Sequence, residues 1–221
     1  MGDPGGAAPV TSSGTTVRAR FRPRSSKEAE VRCVDYQGAS QIAFTGPDGG
    51  RNTFGFDKIY GEASSQADVF QDLRFVVEAA LQGYNGTIMA TSMNETSSRS
   101  HCIVTVRADK TLRDGTVQSG KLVMVDLAGS ERADRTNAMG TTLAEGSLIN
   151  KSLSCLSNVI QALTEDAKGG KPRHVPYRDS KLTRVLQDSL GGSARTVLVV
   201  CCSPCLENAA ETLSTLRFGA R

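Results

Sequence analysis

Two short stretches hold residues whose types and spacing could handle phosphate. In "VDLAGSE" (Val125 to Glu131) an apolar run delivers a carboxylate, Asp126, and Gly129 follows three residues later. A carboxylate at a strand end can hold magnesium through water. A glycine beside it lets a backbone N–H approach a terminal phosphate. In "NETSSRSH" (Asn94 to His101) two hydroxyls, Ser97 and Ser98, sit beside a fixed cation, Arg99. Hydroxyls of this kind reach magnesium or phosphate oxygens. Arg99 and Glu131 carry opposite charges that could latch the two stretches together. A strand end, a turn and a solvated polar loop is the plain alternative, and on these residues alone both readings stand.

The elements that would position these groups can be read from periodicity. Lys121 to Val125, "KLVMV", is apolar throughout and predicts a central strand covered on both faces, ending at Asp126. His101 to Lys110 alternates, and "RDGT" supplies a hairpin turn at Asp114-Gly115 between the two stretches. Further strands are expected at Val17 to Phe21, across Val31 to Phe44 as a hairpin, at Phe54 to Tyr60 as one extended stretch, at Thr87 to Ala90 and at Thr196 to Cys202. Helices are expected from Ser65 to Gly83, from Thr142 to Leu163, from Asp179 or Ser180 to Leu190, and over Asn208 to Phe218. The helix after Thr142 opens with a Thr142/Glu145 capping-box pattern and carries one stripe: Ile149, Leu153, Leu156, Ile160 and Leu163. The mixture is α/β around one sheet. Residues 1–16 read as a disordered tail and residues 17–221 as one domain.

The 221 residues suffice for one domain with a sizeable core. Trp is absent and aromatics make up 5%, so aliphatic packing must carry that core. The formal charge of +3 is too small to name a partner. No apolar run is long enough to span a bilayer, so no membrane partner is expected. The six cysteines sit mostly in apolar runs and read as reduced core residues. Cys202 and Cys205 form a Cys-x-x-Cys without a second pair at ligand spacing, which argues against zinc.

Taken together, "NETSSRSH" and "VDLAGSE" resemble switch I and switch II of the kinesin motor domain. "RARFRP" (Arg18 to Pro23) resembles that family's first strand and adenine-side segment, and "FGFDKIYGEASSQADVF" its next strand and helix. "GYNGTIMA" resembles the strand leading into the phosphate loop. "INKSLSCLSNVIQAL" resembles the relay helix, "HVPYRDSKLTRVLQDSLGG" the main microtubule-contact segment, and "ENAAETLSTLRFGAR" the last motor helix. The resemblance implies a kinesin-type P-loop domain with a central mixed sheet, ATP and Mg2+ as cofactors, and microtubule-stimulated ATP hydrolysis. It implies catalytic roles for Ser97, Ser98, Arg99, Asp126, Gly129 and Glu131, and magnesium at Ser98 and Asp126. It places adenine against Arg20, Arg22 and Pro23. It implies microtubule contact through Lys151, Lys168, Lys171, Arg173, His174, Tyr177, Arg178, Lys181 and Arg184, and a place on cytoplasmic microtubules.

The chain departs from the family at one place. There the "YNGTI-x-A" strand runs into a loop of the form G-x-x-x-x-G-K-[ST]. Here Ala90 is followed at once by Thr91, within the switch I region, and no such loop occurs anywhere in the sequence. The chain thus resembles a motor domain with an internal excision at 90/91. The excised segment would carry the phosphate-ringing N–H groups, a lysine and a magnesium-holding hydroxyl. It would also carry helices that cover one sheet face. The expectation is a truncated fold with that face partly uncovered, defective ATP binding, and surviving nucleotide-independent microtubule binding. A nucleic-acid role is the rival reading of the basic segment from Lys168 to Arg184. It is weak, because Tyr177 is the segment's one aromatic and the whole chain is barely basic.

Overall fold

A computed structural model describes residues 14–91, 100–129, 141–167, 174–191 and 194–220, with side chains in the third stretch described from 148 to 163. Strand β1 (Thr15–Phe21) opens the main sheet, two residues ahead of the boundary drawn from sequence. It pairs in parallel with β5 (Lys58–Tyr60) on one side and with β9 (Arg195–Cys202) on the other. Next to β9 come β6 (Asn85–Thr91), β8 (Val117–Leu127) and finally β7 (Cys102–Thr111), giving the order β5-β1-β9-β6-β8-β7. All neighbours are parallel except β7, which returns antiparallel on β8. The β7–β8 hairpin closes as expected: Gly115 takes a φ of +82°, and Asp114 Oδ1 accepts from Thr116 N at 2.9 Å. A second, three-stranded sheet, β2 (Val34–Tyr36), β3 (Gln41–Thr45) and β4 (Arg51–Gly55), adds Val34, Ile42 and Phe44 to the core.

The stretch expected as one strand over Phe54 to Tyr60 is two strands in different sheets. The chain turns between them, where Phe56 N donates to Ser40 O and Asp57 Oδ2 accepts from Val17 N at 2.6 Å. Helix α1 (Gln66–Leu81) begins at a full capping box between Ser65 and Asp68. Val69, Leu73 and Val76 recur at helical spacing and pack on Val197 and Val199 of β9. The alternate residues of β9, Leu198 and Val200, face the opposite core with Phe21, Met89, Val125, Leu156, Leu182 and Leu216. That core is roofed by α2 (Thr141–Ala167), α3 (Lys181–Val185), α4 (Gln187–Gly191) and α5 (Ala209–Gly219). The most buried side of α2 is Cys155, Leu156, Val159 and Ala162, rotated slightly from the predicted stripe. Its predicted cap at Thr142 and Glu145 lies outside the described side chains. The helix expected from Asp179 or Ser180 to Leu190 is broken. A 3₁₀ turn (Tyr177–Asp179) precedes Ser180, which caps α3, and the chain bends at Leu186, which is fully buried.

"KLVMV" is covered on one face only over part of its length. Val123 and Val125 are buried, but Met124 is 38% exposed. The cause is the reach of α1. It crosses β8 at Gly120, where a Cβ would stand 1.8 Å from the Ala80 carbonyl oxygen, and ends at Leu81. Beyond that crossing no described element covers Met124 or its neighbours Val104 (46% exposed) and Val106 (48%). By contrast β9 lies under α1 and over α5 and is buried nearly throughout. The uncovered face expected from the excision is therefore confined to the β7–β8 side of the sheet.

Candidate functional site

In open parallel sheets ligands sit beyond the carboxyl ends of the strands. Here those ends are Phe21 of β1, Cys202 of β9, Thr91 of β6 and Leu127 of β8. The 90/91 junction does not interrupt β6: Ala90 pairs with Asp126 and Thr91 with Leu127 in unbroken register. Thr91 Oγ1 also accepts from Cys201 N at 2.8 Å, tying the strand end to β9. Asp126 stands exposed on the same sheet face as α1, and Gly129 is buried just beyond it. Ser97, Ser98, Arg99 and Glu131 lie outside the described residues, as does the expected Arg99–Glu131 latch.

Arg20 is on that face too, since its neighbours Ala19 and Phe21 point into the opposite core. Arg20 and Asp126 are separated by β9 and β6. Three strand spacings put them roughly 14 Å apart laterally. Cys201 lies between and feels both: burial raises its thiol pKa, Arg20 lowers it and Asp126 raises it. Arg20 and Arg22, the arginines expected beside adenine, are both engaged within the chain. Arg20 Nη1 donates to Gln66 Oε1 at 2.6 Å. Arg22 forks onto Glu28, with Nη1 to Oε2 at 2.8 Å and Nη2 to Oε1. Glu28 also accepts from Ser25 N at 2.7 Å and Asn208 Nδ2 at 2.8 Å. The Arg22 fork, aided by Ser25 N–H, holds the Glu28 carboxyl down to about 2. Pro23 is exposed, and its carbonyl oxygen accepts from Arg22 Nη1 at 3.2 Å. Across the gap between Arg20 and Asp126 the sequence offers no glycine-rich turn and no lysine. Arg20 and Asp126 thus stand at two strand ends of one sheet face, and the sequence holds no G-x-x-x-x-G-K-[ST] loop.

Sequence reasoning missed His101. Its Nδ1 accepts from Ala128 N at 2.9 Å, and its Nε2 lies 2.7 Å from Ser152 Oγ. Ser152 in turn donates to Ile149 O. Nδ1 is therefore the bare nitrogen and the ring is neutral, consistent with burial lowering its pKa against the opposing pull of Asp126. One imidazole thus joins the start of β7, the loop after β8 and helix α2. The signal was its position as the last residue of "NETSSRSH". Glu28 was missed as well, and nothing in its spacing marks it as the partner of Arg22.

The basic segment is well built. Ser180 Oγ accepts from Thr183 N at 3.0 Å, and Thr183 Oγ1 bonds back to Tyr177 O. Leu182 and Leu186 anchor α3 in the core. Lys181 and Arg184 are three apart on the exposed side of α3, beside Val185 at 63% exposure. Arg178 and His174 are exposed in the segment before α3, and Lys151 is exposed on α2. Among the described residues none of Lys151, Arg178, Lys181 or Arg184 has an ion-pair partner. Tyr177 is half-buried, its ring packed near Gly191 and Leu163. Lys168, Lys171 and Arg173 lie outside the described residues.

An acidic strand end, a glycine beyond it and arginines at a neighbouring strand end, all on one parallel sheet, define the nucleoside-triphosphatase class of architecture without its phosphate loop. The chain belongs to the kinesin motor domain family, whose profile matches residues 89–221, while a profile described as microtubule binding matches residues 14–119. Kinesin-related protein 3 of Dictyostelium discoideum is 51% identical over 166 residues, 74% of this chain and 13% of its own length. Kinesin-like protein KIN-1 of Oryza sativa subsp. japonica is 55% identical over 166 residues, 34% of its own length. This chain therefore spans well under half of these curated relatives. The solved structure of a fast kinesin superposes with a TM-score of 0.75 at 28% identity, covering 94% of this chain and 90% of that one. The motor and motor homology domain of Kar3Vik1 superposes at 0.81 with 25% identity, covering 93% and 84%.

Proposed function

We propose that this chain is a microtubule-binding member of the kinesin family whose attachment is not controlled by nucleotide. The observation that carries the reading is the segment from His174 to Leu190. Its exposed cations Arg178, Lys181 and Arg184 are held on a capped helix anchored in the core, and none is neutralised by a described neighbour. Tubulin's acidic outer surface suits such a patch, and Lys151, His174 and Tyr177 with Lys168, Lys171 and Arg173 would extend it. Its residues are local in sequence, and none belongs to the 90/91 junction. Microtubule-based movement and ATP hydrolysis are the family's activities. In this chain Ser97, Ser98, Arg99, Asp126, Gly129 and Glu131 would be switch residues with no anchored phosphate to read. ATP and Mg2+ are the family's cofactors, and we infer that neither is held here at micromolar concentration. Residence on cytoplasmic microtubules follows from the same reading, and among the described residues no helix is long and apolar enough to cross a membrane. Co-sedimentation with stabilised microtubules tests it. The chain should pellet equally with and without ATP, and release should rise with salt, because exposed charges are screened within about 10 Å at 0.1 M. Retention on RNA or DNA in place of microtubules would favour the rival reading.

A further inference from the structure

Among the described residues the sheet ends at β7, and β7 is an open edge ten residues long. The opposite edge, β5, has three residues. An edge of this length presents a row of unpaired backbone groups and needs a device against pairing. Hydrogen-bond parity shows which groups face out. Leu112 N donates to Thr116 O at the hairpin end, so the even-numbered residues of β7 bond to β8. The odd-numbered ones, Ile103 to Thr111, turn their N–H and C=O outward. The side chains add to this. Val104, Val106 and Leu112 are exposed on the uncovered face, with Met124 beside them. On the other face Arg107 and Asp109 are exposed and paired to each other, Nε to Oδ1 at 3.0 Å.

From this juxtaposition we propose that β7 is a self-association edge: a second copy of this chain pairs antiparallel with it about a two-fold axis at Ala108. The charge pattern selects the register. With the axis at Ala108, Arg107 lies directly opposite Asp109 of the other copy, twice, and the four charges alternate in sign. Moving the axis one residue either way sets Arg107 against its own copy or Asp109 against its own, and like charges directly opposite are destabilising. The same register puts Val104 against Leu112 and lays the Lys110 stem on Val106. It also uses outward-facing pairs only, Thr105 with Thr111 and Arg107 with Asp109, giving about eight new backbone hydrogen bonds. A charge of one sign on this edge would block pairing. Two opposite charges two residues apart are self-complementary instead, and the two-fold closes the assembly at a dimer.

Sedimentation equilibrium of the whole chain tests this. A monomer–dimer equilibrium with a dissociation constant on the order of micromolar is expected, near the weak end for an interface of this size. Thr105→Pro removes an outward N–H without touching the β8 ladder and should weaken the dimer at least about tenfold. Arg107→Asp should do the same, and Arg107→Asp with Asp109→Arg should restore it. In a Cys102→Ser background, Ala108→Cys should form an intermolecular disulfide on mild oxidation, because a non-hydrogen-bonded pair holds its Cα atoms about 4.5 Å apart. Val106→Cys should not. A chain that stays monomeric at about 100 µM overturns the proposal. So does a dimer indifferent to Thr105→Pro with no Ala108→Cys crosslink, and so does open-ended polymer in place of a closed dimer.

Discussion

Replacing Glu28 by Gln should destabilise this fold measurably. The carboxylate takes a two-pronged contact from Arg22 and single bonds from Ser25 N and Asn208 Nδ2, and its side chain is 10% exposed. Its pKa falls from 4.5 to about 2 because of Arg22 first and Ser25 second. A depression of that size corresponds to about 3 kcal/mol at neutral pH, and partial exposure of Arg22 trims it to about 2–3 kcal/mol. The folded state binds the proton less readily than the unfolded one. The contribution is therefore complete above the unfolded value near 4.5 and lost as pH falls towards about 2. Urea unfolding of the parent and Glu28→Gln at a series of pH values reads this directly. The gap should be about 2–3 kcal/mol at pH 7 and close steadily below about pH 4.5. A gap under about 0.5 kcal/mol, or one that stays constant with pH, would refute the reasoning. The same variant weakens the hold on Arg22, and it should not gain ATP binding, because the sequence holds no phosphate loop.

Three further outcomes follow from particular contacts. Burial holds His101 neutral in the fold, so the unfolded chain takes its proton first as pH drops below about 6.5. Stability should fall over that range, and His101→Gln should flatten the slope seen in the same urea series. Gly120→Ala drives a methyl into the Ala80 carbonyl at 1.8 Å and should destabilise by about 3 kcal/mol, with loss of helical signal as α1 lifts; an unchanged melting temperature would contradict the α1–β8 crossing. Lys181→Glu with Arg184→Glu should weaken microtubule pelleting at least about tenfold at low salt, whereas Arg20→Gln should leave it unchanged.

Much of the fold was legible because the signals were local. The helix starts at Ser65 and Ser180, the Asp114-Gly115 turn and the apolar periods of α1 and β9 each act within a few residues. What was not legible depended on what lies over a strand. "KLVMV" reads as covered on both faces, but coverage is set by where α1 ends, and that is a tertiary fact. The split of Phe54 to Tyr60 between two sheets is likewise decided by distant partners, Ser40 and Val17. At the site, Asp126 and Gly129 were visible as residue types at a strand end, whereas Arg20 and Arg22 came only from the family resemblance. The engagement of Arg22 by Glu28 and the three-way link through His101 were not, since a hydrogen bond between distant segments leaves no spacing in the chain. The absent phosphate loop was legible outright, and the unbroken β6–β8 register across Ala90 and Thr91 explains how the sheet accommodates it.

The central claim is that microtubule attachment survives while nucleotide control does not. Co-sedimentation of the whole chain with stabilised microtubules, run side by side in ATP, in ADP and after nucleotide removal, tests it most directly. One dissociation constant is expected in all three conditions, rising with salt. A dissociation constant that changes between ATP and nucleotide-free conditions, or a folded chain that fails to pellet even at low salt, would contradict it.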